Sequence, residues 1–331
     1  MTRRQLFAQA VVPYLDRRGA AVRPGAAPAA RIDLPYVPLG FFGPADAAHP
    51  AGGTVYMGVR LALEDAGAAG RKPFQLFARW ADDPWRAGAS AVVKLAYEDS
   101  AVAVVGGIDS ASTHLAEQVA AKALFPLLDP VSSDETANGA GVPWIFSWAP
   151  GDSLLAAALA GGLNGRPYSL LAATDHGSRQ LARALARAAA PAERHDFAPA
   201  GMPPAPSREQ VVILAPARAT AEIVQGLPAA CRVLAGPQAH TRLFQQLARR
   251  GVLAPAPAAF SREIDARVRK RFSLSGDAFT ELAYHSTALL LRCILEAGPD
   301  RAAVRERLAL HFQPNGRRPN SSVFLQEVSP T

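Results

Sequence analysis

The fold of this chain is decided by Ala101-Val102-Ala103-Val104-Val105-Gly106-Gly107-Ile108-Asp109-Ser110-Ala111-Ser112-Thr113, because its grammar recurs one helix later. There Phe125-Pro126-Leu127-Leu128 breaks at Asp129-Pro130 into Val131-Ser132-Ser133-Asp134. Each unit reads as a buried strand, a polar turn and the first turn of a helix. In a parallel sheet such turns line up along the carboxyl edge, where open α/β folds bind ligands. Two neighbouring edges rich in hydroxyls and free helix N–H groups suit a small, polar, anionic ligand group.

Outward from this segment, apolar runs alternate with amphipathic helical patterns from Arg31 onward, the signature of a parallel sheet covered on both faces. Strands are expected near 34–41, 74–80, 101–106 and 124–128, with helices near 53–67, 84–98 and 111–122. Asp82-Asp83-Pro84-Trp85 reads as an acidic turn that caps the helix after it. The run Trp144 to Trp148 leads through Pro150 into a helix with Asp152 as N-cap. The alternation then starts again, with strands near 167–173, 210–215, 231–235 and 251–254 and helices near 177–190, 218–226 and 240–250. Ala254-Pro255-Ala256-Pro257-Ala258 reads as a linker. Helices near 260–271, 276–297 and 300–310 follow, and Asn315-Gly316 turns the chain into a last strand, 322–328. The expected fold class is α/β, with two doubly wound parallel-sheet lobes joined by a multi-strand hinge. The expected division is residues 31–149 plus 258–314 for lobe 1 and 150–257 plus 315–331 for lobe 2.

The 331 residues suffice for two lobes of ordinary domain size, and a hydrophobic content of 49% fits a folded, soluble protein. A formal charge of +7 invites a nucleic-acid reading. The basic residues are, however, spread along the chain, and even the densest cluster, Arg267 to Arg271, fits the solvated end of a helix, so no nucleic-acid partner is expected. Cys231 and Cys293 are too few for a disulfide scaffold or a zinc site and read as buried thiols. The seven histidines show no close metal-ligand spacing, so neither a metal nor another cofactor is expected. His114, one turn into its helix, reads as exposed, and Tyr284-His285 as core.

No stretch is apolar enough to span a membrane. Arg3-Arg4 precede a weak apolar run, Leu6 to Leu15, and Ala27-Pro28-Ala29 resembles a signal-peptidase site that lies too far downstream of it. Residues 1–30 are therefore read as an appendage or the remnant of an export segment.

Seven segments in order resemble the type I periplasmic binding proteins, in particular the branched-chain amino acid or amide group of ABC-transporter substrate-binding proteins. They are Gly40-Phe41-Phe42-Gly43-Pro44, Gly58 to Ala66, Val102 to Thr113, Pro126 to Ser133, Trp144 to Pro150, Asp175-His176-Gly177 and Gly236-Pro237-Gln238. The resemblance implies that a ligand carboxylate is held by Ser110, the backbone of Val131, and Ser133. Hydroxyls and helix N–H groups can replace lost hydration without burying a counter-charge. The same serines read equally well as N-caps. From the second lobe the resemblance brings His176 and Gln238 to the ligand.

Gln238 stands where amino-acid binders place an acidic residue for the ligand ammonium, and His176 replaces an aromatic. The loop Asp46 to Gly52 lacks the stacking aromatic and offers His49 instead. The expected ligand is accordingly a small carboxylate or amide-like molecule other than a standard amino acid, captured by hinge closure and delivered to ABC permease subunits in the periplasm. The alternative is a cytoplasmic ligand sensor of the amide-responsive type, which acts on a partner protein. No GxSxG elbow, Walker loop or GxGxxG fingerprint occurs, and no enzymatic activity is expected.

Overall fold

The computed structural model describes residues 34–67, 73–81, 87–319 and 323–331. The proposed appendage 1–30 and the acidic turn Asp82 to Trp85 lie outside them. The first apolar runs form β1 (Val37–Phe42), β2 (Phe74–Arg79), β3 (Ala103–Gly106), β4 (Leu127–Asp129) and β5 (Ile145–Ser147). They make one parallel sheet in the order β2-β1-β3-β4-β5. All six residues of β1 are buried, as a strand covered on both faces requires. Between the strands lie α1 (Gly53–Gly67), α2 (Ala89–Tyr97) and α3 (Ser110–Ala123).

After β5 the chain enters α4 (Asp152–Leu163) and builds a second sheet from β6 (Ser169–Ala173), β7 (Glu193–Phe197), β8 (Gln210–Leu214), β9 (Arg232–Ala235) and β10 (Val252–Pro255). The helices α5 (His176–Ala188), α6 (Ala217–Gly226) and α7 (Arg242–Leu247) alternate with these strands. Then follow α8 (Arg262–Phe272), α9 (Ala278–Ala297), α10 (Arg301–Ala309) and β11 (Leu325–Val328). The order β11-β10-β9-β8-β6-β7 is parallel except for β11, which runs antiparallel to β10. The fold is thus two α/β lobes with parallel sheets.

The late helices return to the first sheet. Phe279, Leu282 and Ala283 of α9 share a core with Val55 and Val59 of α1. The two helices cross so closely that a Cβ on Gly58 would stand 2.4 Å from the Thr280 carbonyl oxygen, well inside contact distance. Arg301 pins α10 to the same lobe by donating to three main-chain carbonyls, at 3.0 Å to Ala101, 3.3 Å to Ala123 and 2.6 Å to Ala96.

Three segments cross between the lobes, and they are hydrogen bonded to one another. The Ser147 N–H donates to the Gly316 carbonyl at 2.8 Å, and the Arg318 N–H to the Ser147 carbonyl at 2.9 Å. The Ala256 N–H donates to the Phe324 carbonyl at 3.0 Å. A hinge of this kind permits rotation of two rigid bodies about a few backbone positions.

Local departures from the sequence reading have physical causes. No helix follows β4, because the Asp129 carboxylate accepts the Val131 and Ser132 N–H groups, both at 3.0 Å, and coils the chain into turns. The N-cap of α4 is Gly151, with Asp152 as its first helical residue. Ala254 and Pro255 close β10, where they pair with Gln326 and Leu325, so the linker starts two residues later than expected, at Ala256. The strand β7 was absent from the expected pattern, since Glu-Arg-His-Asp-Phe is a polar edge strand with little apolar alternation. His285 is exposed and pairs with Glu281 at 2.9 Å, Tyr284 is half-buried, and Cys231 is only partly buried.

Candidate functional site

The first strand edge is shaped by a capping box. Asp109 is the N-cap of α3, accepting the Ser112 N–H at 2.7 Å while Ser112 Oγ accepts the Asp109 N–H at 3.2 Å. Ser110 is thereby relieved of capping. Its buried hydroxyl accepts a hydrogen bond from Ser132 Oγ at 3.0 Å, which links the two predicted edges.

The second edge belongs to the turns 131–138. The Val131 N–H is spent on Asp129, and Ser133 Oγ donates to Asp152 Oδ1 at 2.7 Å, across to the first helix of the second lobe. The Asp152 N–H returns a bond to the Ser133 carbonyl at 2.8 Å. Burial and repulsion from Asp134 and Glu135 push the Asp152 carboxyl up to about 7 against the Ser133 bond. Asp129, fully enclosed, is raised to about 7 by burial despite its two N–H donors.

A raised folded-state pKa means that the neutral acid is the better-tolerated form. The contribution of Asp152 is fully present below its unfolded value of 3.8 and is lost as pH rises through about 7. Asp152→Asn keeps an acceptor for Ser133. Its stability advantage over the unsubstituted protein is expected to grow between pH ~4 and ~7, to at most about 4 kcal/mol, and to stay level above. Thermal melts across that range check this; an advantage independent of pH would refute it.

From the second lobe, Asp175 caps α5 by accepting the Ser178 N–H at 3.0 Å, which delivers His176 and Gly177 to the first lobe. A Cβ on Gly177 would lie 3.2 Å from Ser110 Oγ. His176 Nε2 lies 2.6 Å from Asp134 Oδ2. His114 Nε2 reaches the same oxygen at 2.7 Å, and its ring meets that of His176 edge to face with centroids 4.7 Å apart. His114 is therefore a half-buried member of an interlobe cluster, contrary to the exposed position expected from its helix. Hydrogen bonds to Asp134 and then Glu117 push it up to about 10. Burial alone would raise Asp134, but His114 and Thr136 hold it far below the usual carboxylate range.

Elsewhere along the interface Arg242 of α7 donates to the Ala47 carbonyl of the first lobe at 3.2 Å. His49 is a local cap, its Nδ1 accepting the Gly52 N–H at 3.0 Å. Gln238, in a short 3-10 turn (Pro237–His240), is exposed, and its side chain makes no hydrogen bond among the described residues. The structure thus brings together Ser110, Ser133 and His176 at the lobe interface and leaves Gln238 open to solvent. A separate groove of about 850 Å³ lies along the hinge, lined by Trp148, Ala258, Glu281, His285, Arg292 and Arg318. There the Arg318 guanidinium stacks 3.8 Å above the Trp148 ring.

A chain that leaves one parallel sheet for another, returns, and leaves again, so that the carboxyl edges of both sheets meet, has the architecture of a type I periplasmic binding protein. It belongs to the periplasmic binding protein family, whose profile matches residues 39–255. Among solved structures it is similar to the branched-chain amino acid transporter substrate-binding protein LivJ of Streptococcus pneumoniae in complex with isoleucine. The TM-score is 0.75 at 15% identity, over 88% of this chain and 99% of that one. The leucine-binding protein LivK of Thermotoga maritima gives a TM-score of 0.72 at 16% identity, over 89% and 99% of the two chains. A solute-binding protein of an ABC transporter from Rhodopseudomonas palustris, in complex with 3,4-dihydroxybenzoic acid, gives 0.68 at 14% identity, over 86% and 88%. At these identities the likeness is one of fold. No curated protein matches the chain.

Proposed function

We propose that this protein is a periplasmic solute-binding protein that captures a small carboxylic acid lacking an α-ammonium group, by closure of the two lobes, and presents it to the permease of an ABC importer. The observation that carries this reading is the meeting of the strand edges: Ser110 lies against Gly177, while Gln238 stands unpartnered on the second lobe. Opening the hinge withdraws Gly177 and uncovers the Ser110 and Ser132 hydroxyls, which are donors for an incoming carboxylate. Ser133 adds to this edge and, through Asp152, couples it to the second lobe. The Val131 N–H, already given to Asp129, serves by holding the turn in place.

The ammonium of an amino acid needs a carboxylate partner once it leaves water, because a neutral amide compensates a desolvated cation poorly. Gln238 supplies an amide. His176 is committed to Asp134, and the Asp152 carboxylate to Ser133. A solute with one anionic end and an uncharged body matches these groups.

A thermal-shift panel followed by calorimetry tests the reading. Aliphatic and aromatic monocarboxylates are expected to raise the melting temperature and leucine, isoleucine and valine to leave it unchanged, since a ligand stabilises the folded state by mass action. Tight binding of any of the three amino acids would overturn the solute class. For the acid that binds, the double variant Ser110→Ala, Ser133→Ala is expected to lose about a hundredfold in affinity, through one charge-assisted hydrogen bond from Ser110 and the Ser133–Asp152 link that couples the lobes. Unchanged affinity would remove these serines from the site.

A further inference from the structure

We infer that His114, Asp134 and His176 form a binding site for one divalent transition-metal ion of the zinc class, shared between the two lobes. One ligand atom from each residue lies within 4.8 Å of the others. His114 and Asp134 come from the first lobe, and His176 from the first turn of the second lobe's α5. Their separation in sequence hides the set from any spacing motif.

The surrounding shell orients all three groups. His114 Nδ1 faces Glu117 Oε1 at 3.1 Å, which places its hydrogen there and turns Nε2 toward Asp134. A carboxylate behind the ring is the usual outer partner of a metal-bound histidine, fixing tautomer and ring angle. Asp134 Oδ1 accepts the Thr136 N–H and Oγ1–H, both at 2.8 Å, and Oδ2, which faces the two imidazoles, is the ligand atom. Arg317 donates to the Asp134 carbonyl and ties this residue to the hinge. Asp134 is buried, whereas the His176 side chain is 29% exposed, so the set is anchored from beneath and reached from solvent.

Two imidazoles and one carboxylate suit zinc, cobalt or nickel and do not suit magnesium or calcium, which take oxygen shells. At a tetrahedral zinc ion with bonds of about 2.0–2.1 Å the ligand atoms stand about 3.3 Å apart. The present contacts of 2.6 and 2.7 Å to Asp134 Oδ2 therefore lengthen by roughly 0.6 Å, within reach of small ring rotations. The ion displaces the protons held between these atoms to solvent. Water completes the fourth position.

The inference stands apart from the choice of organic solute, and its test uses none. Full-length protein stripped with a chelator is titrated with zinc chloride in a non-coordinating buffer, and with cobalt chloride for its absorption spectrum. The expected result is one ion per chain with micromolar or tighter affinity, and visible cobalt bands of a four-coordinate site. His176→Ala and His114→Ala are each expected to weaken zinc binding by at least about a hundredfold, and His195→Ala, at a histidine–carboxylate pair on β7, to leave it unchanged. Glu117→Gln, a positioning change, is expected to cost about tenfold. Absence of stoichiometric binding would overturn the inference. So would zinc affinity within threefold of the unsubstituted protein in either His176→Ala or His114→Ala. Circular dichroism on each variant keeps loss of fold separate from loss of the ion.

Discussion

Replacing Gly177 with leucine is expected to weaken binding of the captured acid by at least about a hundredfold, or roughly 2.7 kcal/mol, without lowering the stability of the fold. The two effects separate because Gly177 does different things on its two sides. Within α5 it is a glycine in the first helical turn, where a residue with a side chain is favoured by up to about 1 kcal/mol. Toward the first lobe it is a close approach: even a Cβ would stand 3.2 Å from Ser110 Oγ, and the rest of a leucine has nowhere to go but the lobe interface. The variant must either hold the lobes apart or fill the solute's seat. Solution scattering is expected to show an expanded particle that added acid fails to contract. Gly177→Ala, whose one extra carbon needs a shift of only a few tenths of an ångström, is expected to lose less than tenfold. Full affinity in Gly177→Leu would show that the edges at Ser110 and Gly177 do not meet during binding.

Arg301→Leu is expected to destabilise the protein by about 3 kcal/mol in urea unfolding. The guanidinium satisfies carbonyls near the ends of α2 and α3 and before β3 and also lies over the Phe125 ring with its carbon 5.9 Å from the centroid. Leucine keeps the apolar contact but leaves three acceptors without their donor, each costing on the order of 1 kcal/mol or more where water cannot replace it. The helix ends compound this, since their carbonyls carry the negative end of the dipole. Arg301→Lys, with one point charge in place of a planar fork, is expected to recover part of the loss. A midpoint shift worth less than about 1 kcal/mol in Arg301→Leu would mean that solvent already serves these carbonyls.

Much of the architecture was legible in the sequence because it follows from local alternation. Helix α1 falls on its expected residues, and the strand runs at 74–79, 103–106 and 210–214 are apolar segments closed by turns. The polar edge strand β7 lacked that signal. Of the candidate site, the edges themselves were readable from Gly106 to Thr113 and Asp129 to Asp134. The duties of their groups were not. Which serine caps a helix depends on a rotamer choice between Asp109, Ser110 and Ser112, and the capping box resolves it in favour of Asp109 and Ser112. The Val131 N–H was expected to be free because a helix was expected after β4, whereas the Asp129 carboxylate takes it.

The sequence by itself determined two parallel-sheet lobes, the polar turns at their edges and a glycine after His176, since hydrophobic period, turn residues and chain order are local properties. Only the tertiary structure decided that His114, Asp134 and His176 converge. That convergence depends on how two rigid lobes are set against each other by three crossing segments. The periodicity of α3 shows which face of the helix meets its own sheet, but says nothing of a second lobe arriving at its first turn.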